Sequence, residues 1–296
     1  MLILLLVACG TISNNPFAED ATFVEVFPTE ERHTVAFERE VEPESPPPDP
    51  PELLELSTSV SGECNRFIFA LLAAVDLVRS LPPSAREADR REWGPYDWKS
   101  DLKVSAWVER SGSGAFDWAF EGQATGEEPE AFLAGTHFAG ASVQQGDGSF
   151  VWQQSRVATW TGDTMNGTLT VDYDNRSGID LLVDIDDYSY LGSQPADSRY
   201  RYVEKEGEGD WQYRTAASVG WDDDPSTVEV RSRWIVGQGG RADARVIGVT
   251  GREFNWSQCW NALNVLVYQH DDAGVNPDVG QPTDCLYPEA AVVDGI

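Results

Sequence analysis

The sequence is poor in positive charge, imidazole and thiol. Lys and Arg together number 21 against 50 Asp and Glu, a formal net charge of −29. A field of that sign repels phosphates and excludes non-specific nucleic-acid binding. It also excludes docking to anionic lipid through a basic patch. Histidine occurs only as His33, His137 and His270, too sparse for a His-rich zinc site. Lysine is confined to Lys99, Lys103 and Lys205, and no P-loop surrounds any of them. A Gly-x-Ser-x-Gly elbow is missing, and no Gly-x-Gly-x-x-Gly follows a strand pattern, so neither an α/β-hydrolase nucleophile nor a dinucleotide fingerprint is indicated. Long apolar runs are missing too. The run from Phe67 to Val78 has 12 residues and contains Asp76, too short to span a bilayer.

Aromatic and acidic residues are abundant instead. The chain has 296 residues, 41% of them hydrophobic, with 11 Trp, 12 Phe and 9 Tyr, ample for a sizeable core. Residues 1–8 read Met-Leu-Ile-Leu-Leu-Leu-Val-Ala, an apolar run ending in small residues, which is the pattern of a secretory signal. Leu6-Val7-Ala8-Cys9 resembles the lipobox of bacterial lipoproteins. The resemblance implies cleavage before Cys9, which then carries diacylglycerol and an amide-linked acyl chain. At about 0.8 kcal/mol per buried methylene, three chains anchor a protein essentially permanently. Gly10 stands where lipoproteins retained in the inner membrane carry Asp, so the resemblance points to the outer membrane, on its periplasmic or surface face. The run lacks a basic n-region and is short for a signal, so the expected start lies upstream. A buried apolar strand is the alternative reading of the same residues.

Residues 10–57 hold 12 Asp and Glu against Arg32 and Arg39, and residues 46–51 read Pro-Pro-Pro-Asp-Pro-Pro. Such a composition buries little apolar surface and predicts a disordered, lipid-anchored tether over residues 9–57. A docking strip for a basic partner is the alternative. A folded domain is expected over 58–296. Phe67, Ile68, Leu71, Leu72, Val75 and Val78 recur at helical spacing and predict a helix from Glu63 to Arg79, with Ser61 as N-cap and Leu81-Pro82-Pro83 as the stop. Apolar residues on nearly all sides predict that this helix is buried. Residues 84–92 suit one further helical turn.

From Leu102 the period becomes two. Leu102, Val104, Ala106 and Val108 alternate with Lys103, Ser105, Trp107 and Glu109, and Phe116, Trp118 and Phe120 return after a Gly-rich turn. Similar hairpins surround Asp174–Gly178, Glu206–Asp210 and Gly237–Gly240. The fold class expected is mainly β: one antiparallel meander of about 10–12 strands, forming a strongly curved sheet or barrel, with one buried N-terminal helix packed on or in it. An outer-membrane barrel would share the alternation, but a lone apolar helix finds no burial in a polar lumen.

If Cys9 is lipidated, Cys64, Cys259 and Cys285 remain. A Cys259–Cys285 disulfide is the favoured pairing and leaves Cys64 as a free thiol; Cys64 with Cys259 or Cys285 is the competing one. Trp-Gly-Pro at 93–95, Gly167-x-Leu-x-Val-Asp-Tyr173, Gly-Arg-Ala-Asp at 240–243 and Cys259-Trp260 with Cys285 resemble a group of uncharacterised β-rich bacterial lipoproteins. That resemblance spans roughly residues 60–290 and implies lipoprotein status and the C-terminal disulfide, without an activity.

Candidate chemistry is thin. His270 beside Asp271 is the acid–base candidate, against an ordinary exposed histidine. Asp184, Asp186 and Asp187, Asp222–Asp224, and Asp172 with Asp174 are acid clusters of the kind Ca²⁺ uses, but Arg176 stands where a third oxygen ligand belongs, and a solvated acidic face is the simpler reading. Paired carboxylates also allow a glycosidase. Trp107 and Trp221 are expected on the wet face or in a loop, and Trp93 and Trp98 in a connector. The expected function is a cell-envelope lipoprotein with a non-catalytic interaction or structural domain: no catalytic residue, metal or cofactor, the membrane reached through acyl chains, and a protein partner. The alternative is a carrier for a lipid or other apolar ligand in the concave face, and after it a carboxylate-dependent hydrolase.

Overall fold

Fourteen strands follow one another along the chain and pair antiparallel in that same order. The computed structural model describes residues 15–37, 51–99, 101–162, 164, 166–189, 196–217, 226–291, 293 and 296. The strands are β1 (Ala85–Arg86), β2 (Arg90–Lys99), β3 (Leu102–Gly112), β4 (Ala115–Ala124), β5 (Glu130–Ser142), β6 (Gln145–Gln153), β7 (Asn166–Asp174), β8 (Ile179–Ser189), β9 (Ala196–Lys205), β10 (Glu208–Ala217), β11 (Ser226–Ile235), β12 (Gly239–Ile247), β13 (Glu253–Asn261) and β14 (Leu266–Asp271). Among the described residues four α-helices accompany them, α1 (Asn15–Val24), α2 (Glu30–His33), α3 (Glu52–Arg79) and α4 (Gln154–Thr161), with a 3-10 turn at Pro282–Asp284. The expected class is therefore observed: a mainly β, antiparallel meander whose curved sheet stays open, with β1 and β14 as its edges.

The period of two divides the sheet cleanly. Gly135, Phe150, Val171, Val183 and Tyr200 stand opposite one another on β5 to β9 and point to the concave side. Thr136, Ser149, Asp172, Leu182 and Arg201, one residue along, form the matching row on the convex side. The concave face is apolar and buried: Trp93, Trp118, Phe120, Phe150, Tyr200, Tyr202 and Trp211 are all within 1% of full burial. The convex face carries the charge, the reverse of a membrane-spanning barrel, whose outward band is apolar. No helix among the described residues is long and apolar enough to cross a membrane.

Two segments lie across the trough in opposite directions. Helix α3 runs from β13, where the Leu53 amide donates to Gln258 Oε1 (2.7 Å), past β11, where the Ser57 and Ser232 hydroxyls meet (2.6 Å). It ends near β2, where Trp93 Nε1 donates to the Leu81 carbonyl (3.0 Å). Beside it lies a strap, residues 19–37. Phe23 packs on Phe116, Phe27 enters a socket of Trp93, Trp118 and Phe120, His33 meets Phe150 and Tyr173, and Phe37 stacks on Trp234 at 4.2 Å. Asn65 of α3 joins the two segments, its amide donating to the Val35 carbonyl (2.7 Å) and accepting from the Val35 N–H (2.8 Å).

Several expectations need correction. Residues 9–57 are not all tether: Phe23, Val26, Phe27 and Val35 belong to the core. Their apolar spacing is too irregular to signal a helix, yet each side chain fills a pre-formed aromatic socket, which offsets the ordering entropy. Residues 9–14 and 38–50, the latter the proline-rich part that joins the strap to α3, lie outside the described residues of this stretch. Helix α3 begins at Glu52, not Glu63, because Ser57 and Ser61 continue the buried stripe Leu53, Cys64 and Ile68 as polar members. Ser61 is consequently mid-helix, its hydroxyl bonding the Thr58 carbonyl (3.1 Å), and caps nothing. The helix is buried on one side rather than all round, leaving Leu56, Phe69 and Leu77 exposed. Residues 84–92 form β1 and part of β2, not a helical turn, and Trp93 is a core residue of β2 rather than a connector residue.

The count of 10–12 strands falls short because β2 and the β5–β6 hairpin give little alternation signal. Their glycines do the packing instead. A Cβ at Gly148 would come within 2.7 Å of the Tyr173 hydroxyl, and one at Gly135 within 2.7 Å of both Phe150 and the Trp118 ring. Bare backbone is what lets these large rings lie flat on the sheet.

Candidate functional site

The convex face between β5 and β9 holds an open cup of about 450 Å³. Asp147, Asp172, Asp174 and Asp180 line it, with Arg176, Arg201 and the half-exposed ring of Phe138. Its geometry follows from register. Asp147 stands directly opposite Asp174, and Asp174 directly opposite Asp180, so three aspartates face one another across adjacent strands. Like charges in that position repel. Arg176, at the β7–β8 turn, answers part of this. It forks onto Asp174 (2.9 and 2.5 Å) and reaches Asp147 at 3.3 Å. These bonds hold the Asp174 carboxyl below its usual range. Arg201 forks onto Asp180 (3.1 and 2.8 Å).

Further round the sheet, several acids each have an arginine of their own. Arg199 forks onto Asp184, and Arg231 onto Asp210 (3.0 and 2.6 Å). Arg245 bonds Glu229 (2.8 and 2.5 Å). At β12 and β13 the pairing becomes a buried node. Arg241 Nε donates to Asp243 (2.8 Å), Nη2 to Ser257 (3.1 Å) and Nη1 to the carbonyls of Tyr287 and Pro288 (3.2 and 2.9 Å). Asp243 in turn accepts the Ala291 amide (3.1 Å), so the node clamps the C-terminal tail onto the sheet. The Cys259–Cys285 disulfide closes the same clamp.

The structure sorts the sequence candidates as follows. Cys259 and Cys285 are bonded to each other, and Cys64 is free and buried, its thiol pushed up to about 12 by loss of water. Cys9, Trp221 and Asp222–Asp224 lie outside the described residues. His270 and Asp271 do not form an acid–base pair: His270 Nδ1 bonds Asp278 (2.8 Å), while Asp271 accepts the amides of Val275 and Asn276 (2.9 and 2.7 Å) and shapes a turn. Those amides lower the Asp271 carboxyl. Asp184 and Asp186 sit on the sheet surface near Asp197. Asp186 is raised by partial loss of water and by Asp184, Asp197 and Asp187, but it is exposed rather than enclosed in a cleft. No three carboxylate, imidazole or thiol groups among the described residues converge closely enough to hold a metal ion. Trp107 lies on the convex face as expected, under Arg90 at 4.6 Å, with its Nε1 donating to Glu121 (2.9 Å).

Two further groups come together without any sequence signal that pairs them. His33 and His137 meet on either side of Tyr173. The His33 ring lies 4.6 Å from the Tyr173 ring, and His137 Nδ1 is 2.9 Å from the Tyr173 hydroxyl. His137 Nε2 donates to the Val143 carbonyl (2.6 Å) in the tautomer that leaves Nδ1 to accept. Burial drives the His33 pKa down to about 4 and lowers that of His137. No family model, curated protein or solved structure matches the chain.

Proposed function

We propose that this chain is a lipid-anchored protein of the bacterial cell envelope whose curved sheet serves as a non-catalytic interaction domain. The observation that carries the domain reading is the filled trough. Helix α3 and the aromatic residues of the strap occupy the concave face that a carrier would keep open. The anchor rests on Leu6-Val7-Ala8-Cys9, and the Cys259–Cys285 disulfide suits an oxidising, exported compartment. With the strap packed in the core, only residues 10–18 separate Cys9 from Glu19. Fully extended, that stretch reaches at most about 35 Å, so the domain stays close to the lipid rather than on a long stalk. The outward surface offered to a partner is the cup, where four aspartates outnumber two arginines; exposed lysine or arginine on the partner is the complementary chemistry.

A carrier remains the second reading, on one specific observation. Trp118 Nε1, Tyr200 Oη and Trp211 Nε1 are buried donors on the trough wall with no hydrogen-bond partner among the described residues. An apolar ligand bearing acceptor oxygens would satisfy them. Native mass spectrometry of the Cys9→Ala chain, exported and purified from its own envelope, separates the two. A bare mass is expected; a stoichiometric lipid-sized adduct replaces the interaction reading with the carrier. Radiolabelled palmitate entering the wild-type chain but not Cys9→Ala tests the anchor.

A further inference from the structure

We propose that the strap, residues 19–37, is an acid-labile cover, and that protonation of His33 releases it from the trough while the sheet and helix α3 stay folded.

The geometry of His33 carries this. Its ring is wedged between Phe150 of β6 and Tyr173 of β7 and is 4% exposed. Nδ1 lies 2.8 Å from the Thr29 carbonyl, inside the strap itself. Nε2 is buried with no hydrogen-bond partner. A proton added to the ring places a charge among aromatic walls, with one N–H pointing at nothing that can accept it.

The charged groups around the ring do not compensate. Arg32 on α2 and His137 on β5 both oppose a positive charge there. Tyr173 on β7 stays un-ionised, its hydroxyl already engaged by His137. On β8, which also packs against α2, the concave row is apolar Leu181 and Val183, and Asp180 and Asp184 are on the other face, bound to arginines. Asp147 on β6 acts on His137, which burial nevertheless lowers, and does not offset a charge on His33. On α3, Asn65 holds Val35, Cys64 is un-ionised, and Glu63 and Arg66 pair with each other in solvent.

The strap is also built to leave as a unit. It joins no strand ladder. Phe23, Phe27, His33 and Phe37 enter separate sockets, and its polar ties are side-chain ones: Asp20 to Arg86 and Arg91, Arg32 to Gln144, Asn65 to Val35 and Tyr202 to the Ala36 carbonyl. Helix α3, by contrast, carries the long apolar stripe from Leu53 to Val78. Released, the strap uncovers Trp93, Trp118 and Trp234, an apolar surface present only in acid.

The test is circular dichroism of the full chain in dodecyl maltoside between pH 7.5 and 4. Near-ultraviolet bands from the strap-packed tryptophans should collapse below pH 6 while the far-ultraviolet β signal persists. His33→Asn, neutral throughout and able to keep the Thr29 bond, should hold its near-ultraviolet bands down to pH 4. Equal collapse in His33→Asn, joint loss of both signals, or no change in the wild-type chain each overturns the proposal. Should His33→Asn fail to fold, NMR titration of the wild-type His33 Cε1–H decides. Titration coincident with loss of the strap's ring-current shifts supports release; titration with those shifts intact overturns it.

Discussion

On β8 to β12 the outward acids Asp184, Asp210, Glu229 and Asp243 each meet an arginine of their own, whereas on β6 to β8 Asp147, Asp174 and Asp180 face one another and share two, Arg176 and Arg201. Both regions belong to the convex face of one antiparallel sheet, read by the same period of two, although the C-terminal tail buries the Arg241 end. The first spends its charges on holding strands and tail together. The second tolerates a local conflict that a designer of stability would remove. The difference separates a region organised for cohesion from one whose charge is available to something else.

That contrast can be broken first at Arg241. Arg241→Ala takes from the buried Asp243 its bidentate partner, leaving only Arg233 at 3.6 Å as a counter-charge, and should lower unfolding stability by about 3 kcal/mol, read as a fall in the urea midpoint. No comparable loss there would mean that the matched half is not cohesive. Next comes the clamp beside it. Reducing the disulfide, or Cys259→Ser, should lose about 3 kcal/mol of stability by calorimetry, because the bridge closes a 26-residue separation. The concave face supplies the third test. His33 is depressed from 6.5 to about 4 by burial, so its neutral form is the folded one. Stability is therefore complete above pH 6.5 and falls by about 3 kcal/mol as pH drops to 4, where an ordinary histidine would contribute nothing. Urea titrations at pH 7 and pH 4.5, compared with His33→Asn, measure it. The smallest effect is expected in the cup. Asp147→Asn removes an acid facing an acid and leaves Arg176 with Asp174, so stability should rise, by no more than about 0.5 kcal/mol. A loss of 2 kcal/mol or more on the order of the Arg241 effect would erase the distinction between the halves.

Much of the fold was legible because alternation survives wherever side chains do the packing. Phe116, Trp118 and Phe120 announce β4 and its concave face, and the turn glycines announce the hairpins. Where backbone does the packing, as at Gly135, Gly146 and Gly148, the pattern disappears and β5 and β6 go unread. The strap was hidden for a different reason. Phe23, Phe27 and Phe37 are spaced to fit sockets far away in sequence, and the surrounding Glu and Pro residues dominate local composition. The cup was half legible. Asp172 and Asp174 drew notice as acids, but that Asp147 and Asp180 flank Asp174 is a fact of register, which no single strand encodes. Gly-Arg-Ala-Asp at 240–243 was visible as a short motif, but its role as a buried clamp depends on the tail folding back over it.

An open sheet brings a hazard: its free margins can template strand pairing between neighbouring copies. Here both margins are blunted. The first strand is only two residues long, Ala85 and Arg86. At the far side Val279 exchanges both backbone hydrogen bonds with Gln269 (2.9 and 3.1 Å), and the Cys285 bridge holds the following chain in place. The tail thus covers part of the far margin, and reduction of one disulfide should uncover it, to be read as concentration-dependent association by light scattering.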